Sequence, residues 1–145
     1  MFKHILIPVD DDAGSRHAME QGVELARCVG ARITGLHVMQ EFARTGIVVE
    51  LLEPGAEALP ALARAHGEKL LAPLQRLAGQ AGVPYGQILQ RGDRAGAGIV
   101  EAAERSRCDL IVMASHGRRG VAKFVLGSET QYVLAHAGVP VLVVH

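Results

Sequence analysis

Three stretches of this chain are apolar almost without interruption: Ile5-Leu6-Ile7-Pro8-Val9, Leu110-Ile111-Val112-Met113 and Val139-Pro140-Val141-Leu142-Val143-Val144. Runs this short and this apolar suit strands covered on both faces, the condition of a parallel sheet between two layers of helix. The segments between them supply the cover. From Ser15, read as an N-cap, apolar or small residues recur at helical spacing at Ala18, Met19, Gly22, Val23, Leu25, Ala26 and Val29, and Gly30 ends that helix. Ile33, Leu36 and Val38 mark a second strand. A second helix opens near Pro60 and carries Leu62, His66, Leu70, Leu74, Leu77 and Ala81 on one face. It is expected to kink at Pro73 and to stop at Gly82. Tyr85 to Gln90 forms a third strand, polar enough for a sheet edge. Asp93 is placed as the cap of a helix from Ala95 to Arg105, and a last helix from about Ser128 to Ala137 leads into the final strand at Val139.

Strands alternating with helices imply right-handed crossovers, hence an α/β fold: a doubly wound five-stranded parallel sheet, order 3-2-1-4-5, with helices on both faces. At 145 residues the chain fits one domain whose core needs no disulfide or metal, and no repeat or linker divides it. In that strand order the chain reverses between strands 1 and 4, which leaves a crevice at their carboxyl ends. Asp10 and the turn Ala114-Ser115-His116-Gly117 fall there. Gln40 to Glu57 exceeds an ordinary loop, and its cluster Ile47-Val48-Val49 and Leu51-Leu52 suggests a lid over a ligand or packing against a partner subunit.

Several function classes are disfavoured. Fifteen basic and fifteen acidic side chains cancel, so no global field holds nucleic acid or an anionic membrane, and any phosphate must be gripped locally. With 3% aromatic residues and no Trp, base-stacking platforms are not expected. Cys28 and Cys108 match no CxxC or zinc spacing and are read as buried thiols. No apolar stretch reaches the ~20 residues of a membrane span, so a cytoplasmic location is expected. The GxxxxGK[ST], GxSxG and HExxH signatures are missing, and Gly92, Gly96 and Gly98 do not match GxGxxG. His37 and His116 lie near the crevice; without a third ligand they make a poor metal site and are read as packed or phosphate-neighbouring rather than catalytic. Arg118, Arg119 and Lys123 either pair with terminal phosphates or are solvated turn residues.

The stretch from Asp109 to Val144 resembles the universal stress protein family. Its nucleotide-binding branch carries Gly, two residues, Gly, nine residues, Gly, then Ser or Thr. The chain reads Ala114, Ser115-His116, Gly117, Arg118 to Leu126, Gly127, Ser128, with one departure at Ala114. Ile7-Pro8-Val9-Asp10, Leu36-His37-Val38, Arg91-Gly92-Asp93 and Gly138 to Val144 extend the likeness over essentially the whole chain. The resemblance implies a stress-response regulator that binds ATP through Pro8, Val9, Asp10, Val38, Met113, Ala114, Ser115, His116, Gly117, Arg118, Arg119, Gly127, Ser128 and Glu129. Asp10 would meet the adenosine, the Val38 backbone would read adenine, and phosphates would lie over Gly117, Gly127 and Ser128 at a helix N-terminus. Mg2+ or Mn2+ would be held by phosphate oxygens, with no protein metal ligand and no catalytic residue. Ala114 would set a methyl where the ribose should pass, weakening the nucleotide or shifting it. The resemblance also implies a homodimer through the apolar edge strand Val139 to Val144. Two alternatives remain: a family member without nucleotide that acts as a dimeric interaction module, and a slow ATP hydrolase.

Overall fold

The apolar runs become the interior of a five-stranded sheet in which every registered pair is parallel. The computed structural model describes residues 1–40, 58–115 and 126–145. In chain order the elements are β1 (His4–Pro8), α1 (Gly14–Val29), β2 (Arg32–Gln40), α2 (Ala58–Gln80), β3 (Tyr85–Gly92), α3 (Ala95–Ser106), β4 (Leu110–Ala114), α4 (Ser128–His136) and β5 (Val141–Val144). The strands lie in the order β3-β2-β1-β4-β5, as the alternation predicted. The expected lid falls almost wholly on residues 41–57, outside the described residues.

Strand alternation sorts the core into two layers. Ile5, Ile7 and Val112 face α1 and α2, packing with Val23, Leu71 and Leu74. Leu6, Ile111 and Met113 face the other way, onto Ile99 and Ala102 of α3 and Val133 of α4. Close approach of α1 depends on Gly22, where a Cβ would stand 2.5 Å from Ile7 Cδ1. Gly30 ends α1 in the left-handed region at φ 71°, and its N–H donates to the Ala26 carbonyl.

Local details depart from expectation where a side chain has a better partner than the adjacent helix end. Ser15 is not the N-cap of α1, which begins at Gly14 with Ala13 in the cap position. Asp12 Oδ1 accepts from the Gly14 N–H at 3.1 Å instead, leaving Ser15 for Asp10. Asp93 does not cap α3, whose cap position is Arg94. The buried stripe of α2 is Gly67, Leu71, Leu74 and Ala78, so Leu62 (63% exposed) and His66 stand off the core. Helix α2 runs through Pro73 as one element. Cys28 is exposed on the polar side of α1, with Sγ 3.6 Å from Glu24 Oε1; only Cys108 is buried. β5 starts two residues later than expected, because Val139 and Pro140 precede it and Pro140 contributes only its carbonyl, to the Ile111 N–H.

Candidate functional site

The sheet parts where the strand order reverses. Registered pairs between β1 and β4 stop at Leu6 and Ile111, although β1 continues to Pro8 and β4 to Ala114. Beyond those pairs the two carboxyl ends bound the crevice. Pairing of β1 with β2 ends at Pro8–Leu36, followed by one last bond from the Val9 N–H to the Leu36 carbonyl at 2.8 Å. Leu36 thus directs its backbone toward β1, and by the two-residue repeat so does Val38, past the point where β1 has ended. The Val38 side chain packs elsewhere, under Gly98, where a Cβ would come within 2.9 Å of Val38 Cγ2.

Asp10 is held from behind. Its Oδ1 accepts from the Ser15 hydroxyl at 2.7 Å and from the Asp12 N–H at 2.9 Å, and its own N–H donates to Ser15 Oγ at 3.3 Å. Ser15, 3% exposed, therefore fixes the carboxylate's direction. Sequence reasoning missed this role because a serine opening a helix reads first as a cap. His37 braces the same turn, its Nδ1–H donating to the Val9 carbonyl at 2.8 Å. Alongside, His66 Nε2 lies 3.0 Å from Asp11 Oδ1, and the His37 and His66 rings meet edge to face at 6.3 Å. Among the described residues no group of three His, Cys, Asp or Glu side chains is arranged to hold a metal ion.

On the β4 side, Met113 is 3% exposed and packs with α3 and α4, so only its backbone can line the crevice. Ala114 is 5% exposed. A Cβ built on Gly14 would lie 3.4 Å from its methyl, which places that methyl under the start of α1 rather than out in the crevice. The Ala114 carbonyl accepts from Thr130 Oγ1 at 3.4 Å, docking the first turn of α4 on the end of β4. Gly127 precedes that turn in an extended conformation (φ −61°, ψ 156°) with no side chain bonded at the cap. Its neighbours Ser128 and Glu129 thus bring backbone N–H groups with no partner inside the helix, at the positive end of its dipole.

Glu129 is the member of the predicted set whose side chain points away from the phosphate role. Its Oε2 accepts from the Gly96 N–H at 2.5 Å, so the carboxylate serves the start of α3 and only the backbone of Glu129 remains for an anion. Arg94 stacks over Tyr132 nearby, 4.8 Å from the ring centre. The described structure thus gathers Pro8, Val9, Asp10, Val38, Met113, Ala114 and Ser115 around the parted strands, with Gly127, Ser128 and Glu129 at the head of α4. His116, Gly117, Arg118, Arg119 and Lys123 lie outside the described residues.

A family model described as universal stress protein family matches residues 1–145. The chain belongs to the universal stress protein family. A universal stress protein of Thermus aquaticus is 32% identical over 144 residues, 99% of each chain. The universal stress protein UspA of Lactobacillus plantarum superimposes with a TM-score of 0.83 at 25% identity, covering 99% of this chain and 98% of that one. The universal stress protein of Archaeoglobus fulgidus solved in complex with dAMP shares the fold at a TM-score of 0.70 and 17% identity, over 100% of this chain and 98% of that one. Other universal stress proteins of this fold were solved with AMP, from Arabidopsis thaliana, or with cAMP. Among the described residues no helix is long and apolar enough to cross a membrane.

Proposed function

We propose that this universal stress protein is a cytoplasmic regulator that binds ATP in the crevice between β1 and β4. The observation that carries the reading is the parting of those strands over an oriented Asp10 on one side and the N-terminus of α4, with no side chain bonded at its cap among the described residues, on the other. Asp10 accepts from ribose hydroxyls, the outward backbone of Val38 meets the adenine edge, and the N–H groups at Ser128 and Glu129 receive phosphate oxygens. Relatives of this fold that carry AMP, dAMP or cAMP support an adenine nucleotide as the ligand. The residues fit an anion at α4, since Gly127 has no Cβ and the Glu129 carboxylate is engaged at α3. A divalent ion would come with the phosphates. Calorimetry tests the reading: ATP should bind at micromolar scale, about 8 kcal/mol, and Gly127→Val should abolish binding in a folded protein. Unchanged affinity in that variant would overturn the phosphate assignment.

The edge strand favours a second property, self-association. β5 is an outer strand of the sheet, apolar throughout, with Leu142 43% exposed. An uncharged apolar edge of this kind pairs readily with a copy of itself about a two-fold axis, which would join Val139 to Val144 of two subunits into a homodimer. Light scattering should find dimers in the wild type and monomers in Leu142→Arg.

A further inference from the structure

At the opposite rim from the crevice, the C-terminal ends of α3 and α4 stand over the segments that lead into β4 and β5 and leave a pocket of about 310 Å³. Val100, Ala103, Ala137 and Val139 wall it. Cys108 adds a thiol that is 5% exposed and has no hydrogen-bond partner among the described residues. Burial pushes that thiol up to about 11, so it stays neutral. Glu104 and Arg107, both exposed, line the same pocket. Neither belongs to an ion pair among the described residues, so two opposite charges flank an apolar cavity without pairing with each other. Arg107 is also the residue the turn asks for least. It alone among the described non-glycine residues has a left-handed φ, 54°. Its N–H closes α3 on the Ala103 and Glu104 carbonyls, a turn that glycine makes without a Cβ clash. What arginine adds there is a guanidinium at the pocket. The last carbonyls of α4 lack donors inside their helix and carry the negative end of its dipole, which attracts a cation.

We infer that this pocket is a second ligand site and takes a free aliphatic α-amino acid. The carboxylate lies on Arg107, the ammonium lies toward Glu104 and the carbonyl end of α4, and the branched side chain packs among Val100, Ala103 and Val139 over Cys108. The charges separate this class from its neighbours. A fatty acid would set its carboxylate beside Glu104 and offer nothing to the helix end, and an amine would leave Arg107 unanswered. The volume is near the lower end for small-molecule pockets, and the walls hold no aromatic ring, which suits a side chain of leucine size. The lining residues lie a strand's length from the crevice, so the inference stands apart from the nucleotide reading.

The test titrates L-leucine into the full chain and follows amide NMR shifts and calorimetry. Saturable shifts are expected at Ala103, Cys108, Ala137 and Val139 with a Kd on the order of 1 mM or tighter, and none at Gly127 to Glu129. Isocaproate, which lacks the ammonium, and isoamylamine, which lacks the carboxylate, should each bind about tenfold more weakly or worse. Arg107→Gly should cost about tenfold or more in leucine affinity while melting close to the wild type, because glycine accepts the left-handed turn. Glu104→Gln should weaken leucine and leave isocaproate unchanged. Absent leucine shifts, shifts confined to other residues, an analogue that binds as tightly as leucine, or a folded Arg107→Gly protein with wild-type affinity would overturn the site.

Discussion

At the amino ends of the strands the polar groups turn inward and saturate one another, whereas at the carboxyl ends they are braced from behind and face the crevice. His4, 6% exposed, shows the first arrangement. Arg32 donates to its Nδ1 at 3.1 Å, which leaves the proton on Nε2, and Nε2–H donates to Thr34 Oγ1 at 2.7 Å. Asp109 closes the same rim by accepting from the Lys3 and His4 N–H groups at 2.8 and 3.0 Å. Burial pushes its carboxyl up, but these backbone donors outweigh it and hold it below the ordinary value. At the other rim, the Ser15 hydroxyl and the Asp12 N–H hold Asp10 Oδ1, and among the described residues no side chain is bonded at the Gly127 cap of α4. One rim holds the sheet together, and the other is the one proposed to receive the nucleotide. Substitutions should therefore separate stability from binding.

The largest separation is expected from Asp109→Ala, which strands two backbone donors, one of them at the buried start of β1. Urea denaturation should show a loss of about 2 to 3 kcal/mol with ATP affinity unchanged. A matching loss of affinity would mean that the two rims are coupled through β1. Asp10→Ala is the mirror case. Calorimetry should find affinity down by about 2 kcal/mol, and thermal melting should show a much smaller change than in Asp109→Ala.

Acid should probe the amino rim next. Burial, and after it the nearby Arg32, hold the His4 imidazole below 6.5. Its contribution to stability is complete above 6.5 and is lost as pH falls through the lowered folded value, where protonation sets a cation against the guanidinium. Asp109 gives up its share only in more acid solution, as pH falls from 3.8 through its own lowered value. Unfolding free energy measured from pH 7 to 4 should decline in the wild type and stay flatter in His4→Gln. Parallel curves would remove His4 as the titrating group. The smallest effect belongs to Ala114→Gly: affinity within about threefold of the wild type, and about 1 kcal/mol of stability lost with the methyl packed against Gly14. A marked gain in affinity would return that methyl to the ribose path.

The strands were legible because each central one is covered on both faces and its composition says so, from Ile5 to Ile7 and from Leu110 to Met113. The strand order followed from alternation. Caps were not legible, since Ser15 has a partner five residues back and the start of α3 has one thirty-three residues ahead, distances at which no local pattern operates. The exposure of Leu62 and His66 had the same cause: helical spacing gives a face, while where that helix overhangs the sheet depends on tertiary packing. Within the site, Asp10 and Gly127 could be named from sequence, because a strand end and a helix start fix their places. The direction of the Ala114 methyl required the α1–β4 contact.

The bond between Glu129 and Gly96 also makes two distant positions answer to each other. A Cβ at residue 96 would stand 2.7 Å from Glu129 Oε2 and 3.0 Å from Tyr132 Cδ1, so the glycine is demanded by the carboxylate it serves. Neither position is free to vary alone. A chain that replaced Glu129 with an apolar residue would orphan an N–H at the start of α3, and one that enlarged residue 96 would force the two helices apart. Where this fold has diverged, the two sites should have changed together, and the helix-to-helix seam beside the crevice should carry that paired history.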